Sequence, residues 1–86
     1  MPVVAAFFGI VIRMFYQEHG PPHFHAEHHS QQASFTLNGK LFAGVIRSRT
    51  ARRRIQRWAR LHREDRERNW ERLRSGLALE RIPPLE

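Results

Sequence analysis

The chain has 86 residues and no cysteine, which excludes disulfides and thiolate zinc sites. It also lacks any apolar run near the roughly 18 residues a membrane span needs. The apolar start, Met1-Pro2-Val3-Val4-Ala5-Ala6-Phe7-Phe8, has no positive charge before it, and Arg13 follows too soon for the core of a signal peptide. These first residues are expected to form a strand of the mature fold, in a cytoplasmic protein. Lysine is nearly absent: of 15 basic residues only Lys40 is not an arginine.

The charge that is present lies unevenly. The formal net charge is +7. Residues 1–46 contain Arg13, Lys40, Glu18 and Glu27, which cancel, so the whole excess lies in residues 47–86. Within that half, residues 47–60 hold seven arginines and no acid. Such a segment is either a solvated face or the contact for an anionic partner, RNA, DNA or an acidic protein. Arg49, Arg52, Arg53, Arg57 and Arg60 are the candidate binding residues. They are expected to spread over more than one helix face, which argues against a helix reading bases in the major groove.

A length of 86 residues allows one domain, 1–86. A core this small leaves room for a partner or a homo-oligomer to add burial. Residues 3–8 read as a buried strand broken by Gly9, and 10–16 as a second, β-branched and aromatic strand. Gly20-Pro21-Pro22 marks a turn. In the strand that follows, Phe24 and Ala26 point one way and His23, His25 and Glu27 the other. Residues 33–38 alternate, and Asn38-Gly39 is a strong hairpin signal because both residues tolerate positive φ. The chain then returns over 40–46, with Gly44 as a bulge or strand end.

After this the period becomes helical. Ser48 or Thr50 can cap a helix. Ala51, Ile55, Trp58, Ala59 and His62 make one apolar stripe, and Trp70, Leu73 and Leu77 a second. Between them, residues 62–69 carry no apolar side chain, so the segment 49–75 either kinks near 63–66 into two helices or stands in solvent. Gly76 is a terminator, and 77–86 an extended tail. Strands first and helices after predict an α+β fold: an antiparallel meander of four to five strands over 3–46, with the helical segment packed on one face.

Five of the six histidines fall in the eleven positions 19–29. His23, His25 and Glu27 at i, i+2, i+4 each lie about 7 Å from the next along a strand. Two imidazoles and a carboxylate can hold a divalent metal, although three ligands on one strand converge only if His19, His62 or another residue reaches in. His23 and His25 can equally be buried hydrogen-bonding groups that fix the loop to the sheet. As a third reading they are the acid and base of a metal-independent ribonuclease-like site, with Arg13 at the phosphate. Binding without catalysis is a fourth. His28 and His29 read as exposed turn residues. Trp58, Trp70 and His62 read as core rather than as stacking platforms.

The stretch Phe8-Gly9-Ile10-Val11-Ile12-Arg13-Met14-Phe15-Tyr16, followed by His19-Gly20-Pro21-Pro22-His23-Phe24-His25-Ala26-Glu27, resembles the signature of a small bacterial family, domain of unknown function 4160. The likeness continues through Trp58-Ala59-Arg60-Leu61-His62-Arg63 and Asn69-Trp70-Glu71 to Ile82-Pro83-Pro84-Leu85. It implies a small cytoplasmic α+β protein, encoded beside a second small protein in a layout similar to a toxin–antitoxin pair. It therefore implies a toxin-like component with a small cognate protein partner, but no defined reaction and no cofactor. Relatives tend to carry leucine where this chain has Arg66 and Glu67.

Overall fold

In a computed structural model, residues 3–14 and 22–86 are described. Strands β1 (Val3–Phe7), β2 (Ile10–Arg13), β3 (His23–His28), β4 (Gln31–Thr36) and β5 (Leu41–Gly44) precede helices α1 (Arg49–Leu61) and α2 (Arg63–Arg74). The strands form one antiparallel sheet in the order β1-β2-β3-β4-β5. This is the expected α+β meander followed by helices. Residues 17–21 of the turn expected over 17–22, the end of the second strand at Phe15 and Tyr16, and His19 lie outside the described residues.

The hairpins follow from local backbone chemistry. Phe8 and Gly9 both have positive φ, as do His29 and Ser30, the pattern of the two-residue turns that match strand twist. His28 is therefore not a turn residue: it closes β3 opposite Gln31 and Ile10, and only His29 lies in the turn. The β4–β5 connection departs from the expected two-residue Asn38-Gly39 turn. Gly39 N–H donates to the Thr36 carbonyl at 2.8 Å, and Thr36 N–H to the Lys40 carbonyl at 2.8 Å. The loop is thus Leu37-Asn38-Gly39, in which Gly39 alone takes positive φ, a type I turn closed by a glycine bulge. Gly39 is also pressed on α1, where an added Cβ would lie 3.3 Å from Ala59 Cβ.

The inner sheet face carries Val4, Ile10, Ile12, Phe24, Ala26, Ala33 and Phe35, all buried. α1 lays Ala51, Ile55, Trp58 and Ala59 against it. Trp58 is central: its ring lies 5.8 Å from that of Phe7 and 5.6 Å from that of Phe24, which stacks on Phe35. Burying aromatic rings of this size is the main source of stability in so small a domain. Ser48 caps α1, its hydroxyl accepting from Ala51 N–H at 3.1 Å.

The acid- and arginine-rich stretch 62–69 resolves into a break at His62 and a second helix. His62 ends α1, with its N–H on the Trp58 carbonyl, and opens α2. Its ring is half-buried beside Trp58 and meets Asp65 at 3.2 Å. α2 anchors through Arg66, Asn69, Trp70 and Leu73. Leu77 does not extend this stripe, since α2 ends at Arg74 and Leu77 is exposed. Its amide instead returns to the Arg72 carbonyl, completing a helix-terminating motif around Gly76. The tail then runs back over the sheet. Asn69 holds Glu80 by both backbone groups, at 2.7 and 2.9 Å. Trp58 Nε1 donates to the Pro83 carbonyl at 3.0 Å, and Ile82 N–H to the Val4 carbonyl at 2.7 Å.

Candidate functional site

Two regions gather the side chains capable of chemistry. The first is the outer face of the sheet. Strand alternation turns Phe24 and Ala26 inward and leaves His23, His25 and Glu27 on the opposite face. The register places Arg13 on one side of His25 and Ser34 on the other. Ser34 Oγ lies 3.1 Å from His25 Nδ1. The Arg13 guanidinium donates from Nε to Glu27 at 2.9 Å, both side chains being partly exposed. His23 and His25 are adjacent, with ring centroids 5.1 Å apart.

The structure therefore brings His23, His25 and Arg13 together, but in unequal settings. His23 is only 7% exposed, enclosed by the rings of Phe42 at 5.6 Å and Trp70 at 5.5 Å. His25 is half-buried between two polar neighbours. Ser34, Phe42 and Trp70 belong to this site and were not foreseen in it. Ser34 was findable, because it stands on the outward-alternating positions of β4. Phe42 and Trp70 reach the site only through the tertiary fold. Chemically, the row offers an imidazole with a hydroxyl partner beside a guanidinium, a set able to move a proton next to an anion. Among the described residues, no three His, Asp or Glu side chains converge as a metal-ligand set. In the candidate set of His23, His25 and Glu27, the carboxylate is engaged by Arg13.

The second region is α1. At about 100° per residue, Arg49, Arg53, Arg57 and Arg60 fall within one arc of about 80°, opposite the buried Ala51, Ile55 and Trp58. Four of the five candidates thus share one face, while Arg52 lies about 60° outside the arc, so the set as a whole spans more than one face. The stripe runs about 16 Å along the helix and has no ion pair among the described residues. Arg52 is the exception within the candidate set: its guanidinium folds back onto the carbonyls of Ile46, at 2.5 Å, and Arg47, at 2.9 Å. Arg54 likewise serves the fold, lying 4.2 Å over the Phe8 ring. The helix has no acid in its first turn to offset the positive end of its dipole.

Arg66 occupies the core on its own. It is fully buried, lies near the rings of Phe24 and Trp58, and donates from Nη2 to the Ala59 carbonyl at the end of α1. Nε and Nη1 have no hydrogen-bond partner among the described residues. Burial, opposed in part by Glu67, pushes the guanidinium down to about 10, so it remains charged at neutral pH.

A five-stranded meander backed by two helices, with a polar histidine row on one face and a basic helix on the other, defines a small basic α+β protein. Residues 9–71 match the family model described as Domain of unknown function (DUF4160). The chain belongs to that family. No curated protein and no solved structure matches it. Among the described residues, no helix is long and apolar enough to cross a membrane.

Proposed function

We propose that this protein binds nucleic acid through the exposed arginine face of α1, as the basic, toxin-like member of a small cytoplasmic two-protein system. The observation that carries the binding reading is the stripe Arg49, Arg53, Arg57 and Arg60, which has no ion pair among the described residues. Surface arginines are easily paired at i,i+4, and leaving four in one row without an acid maintains a positive field that attracts phosphates. Guanidinium groups on successive helical turns suit backbone phosphates and carry no sequence code. The test is fluorescence anisotropy with labelled duplex and single-stranded oligonucleotides across salt concentrations. If all four arginines displace counterions, log K falls against log salt with a slope of about −3.6 on duplex. A flat salt dependence, or no binding at low salt, overturns the reading.

A second reading follows from the row Arg13-His25-Ser34 with His23 beside it: acid–base catalysis on RNA, without metal, by a toxin-like component. The observation favouring it is the Ser34 hydroxyl at hydrogen-bond distance from His25, which orients that imidazole beside Arg13. It requires that expression of the wild type inhibits growth and that His23→Ala with His25→Ala relieves the inhibition in a protein that still folds. A harmless wild type ends this reading. So does a double variant that stays fully toxic.

A further inference from the structure

The two edges of the sheet are finished differently. Along β1 the chain covers itself: Ile82, itself buried, donates to the Val4 carbonyl, and Arg81 reaches the Val3 carbonyl. β5 is the other edge, and all four of its residues are exposed. Phe42 is 50% exposed, Leu41 37% and the following Val45 58%. A bare edge with apolar side chains is a template for another strand, and proteins usually blunt it with charge or proline. Leu41-Phe42-Ala43-Gly44-Val45 contains neither.

The charges around this edge identify the occupant. From His28 to Arg63, through β4, β5 and α1, there is no aspartate or glutamate, while Lys40 immediately precedes β5 and Arg47 follows its end by three residues. We propose that the β5 edge receives an extended acidic segment of a partner protein as a sixth strand, held by main-chain hydrogen bonds and by contact with Leu41, Phe42 and Val45. A second copy of the chain fits poorly, because antiparallel pairing of β5 with itself brings Lys40 of one copy toward Arg47 of the other, and like charges opposed across strands repel. The docked segment is short. Gly44 has a φ of +79° and a Cβ there would collide with the backbone of Gln32 and Ala33, so the backbone turns and ladder pairing stops after about one strand length. This surface is separate from the α1 arginine face, and either can fail without the other.

The probe is a labelled, end-blocked dodecapeptide of alternating valine and glutamate, tested against the full chain at moderate salt. Its control has the same charge, with proline in place of every second valine, so that it cannot extend a ladder. The expected results are binding by anisotropy, slowed amide hydrogen exchange within residues 41–45, and at least tenfold weaker binding of the proline control. Leu41→Glu with Val45→Glu is expected to weaken the valine–glutamate peptide at least tenfold with an unchanged melting temperature, since both side chains are exposed. Equal binding of the proline control overturns the proposal, because it leaves only polyelectrolyte attraction. Absence of protection at β5 overturns it as well. So does a concentration-dependent dimer that protects β5 without peptide, or protection of β5 by an oligonucleotide.

Discussion

α1 and α2 are built from the same residue type put to opposite uses. α1 carries six arginines and no acid; α2 carries five arginines and four acids. On α2, Arg63 pairs with Glu67 at 3.0 Å, Arg68 with Asp65 at 3.2 Å, Arg74 with Glu71 at 3.6 Å, and Arg72 with Glu80 of the tail at 3.7 Å. Exposed pairs of this kind contribute only tenths of a kcal/mol each. Their main consequence is electrostatic: α2 shows the solvent nearly balanced charge, and α1 does not. The remaining arginine of α2, Arg66, is buried in the core. A count of arginines therefore conceals three functions: a free face, a neutralised face and a core filler.

The largest effect that can break this comparison is on binding. Arg49→Gln, Arg53→Gln, Arg57→Gln and Arg60→Gln together are expected to lower oligonucleotide affinity at least about 100-fold at low salt and to flatten its salt dependence. Stability should move by no more than about 0.5 kcal/mol per site, as for other exposed positions. Undiminished affinity in anisotropy titrations would mean that the α1 face is merely solvated.

Next is Arg66→Leu, expected to raise stability by about 1–2 kcal/mol in urea denaturation. The change removes two buried donors without partners, each costing about 1–3 kcal/mol, and gives up one hydrogen bond and the ring contacts, worth about 1 kcal/mol each. The sign with pH follows from the lowered guanidinium. Its charged form is penalised only in the folded state, so the penalty is fully present below about 10 and is relieved as pH rises from there toward the ordinary arginine range. The gain in the leucine variant should therefore be constant from pH 6 to 9. A loss of stability would show that the contact with the end of α1 outweighs the orphaned donors.

A smaller effect sharpens the contrast on α2. Glu67→Gln with Glu71→Gln releases Arg63 and Arg74 and should change stability by less than about 1 kcal/mol in total. Oligonucleotide affinity should rise only two- to threefold, roughly as expected from added net charge. An increase beyond tenfold would reveal a second binding face that pairing had masked.

The smallest concerns His28, whose pKa is lowered by burial first, then by His29 and by Arg54 of α1. The unfolded chain then takes up more protons near the ordinary histidine value of about 6.5, so stability falls as pH drops through it. His28→Asn should flatten the melting-temperature profile between pH 7 and 5. An unchanged profile would assign the acid sensitivity to other groups.

Much of the fold was legible because the decisive signals are local. Gly9 and the alternation of Phe24 with Ala26 marked strands, Ser48 or Thr50 the start of α1, and Gly76 the end of α2. The errors arose where a residue behaved against its type. Arg66 lies in the core because its guanidinium sits near the Phe24 and Trp58 rings and reaches a carbonyl at the end of α1. Leu77 left the apolar stripe because the helix ends before it. Asn38 kept negative φ because a three-residue loop, rather than a two-residue one, lets Gly39 seat against α1. At the candidate site, the alternation of β3 placed His23 and His25 on one face. That face alone could not show that Phe42 and Trp70 would enclose one imidazole and Ser34 would bind the other.

By itself the sequence determined the order of elements, the meander, the concentration of positive charge after residue 46 and the membership of a family. These depend on neighbours within a few residues, through backbone preference, periodicity and composition. Only the tertiary structure decided which arginines stay unpaired, which histidine is enclosed and which sheet edge is covered. Those outcomes depend on side chains far apart in the chain that meet after folding: Trp58 with Pro83, Asn69 with Glu80, Ile82 with Val4. No local rule carries the position of a partner that arrives from elsewhere in the fold.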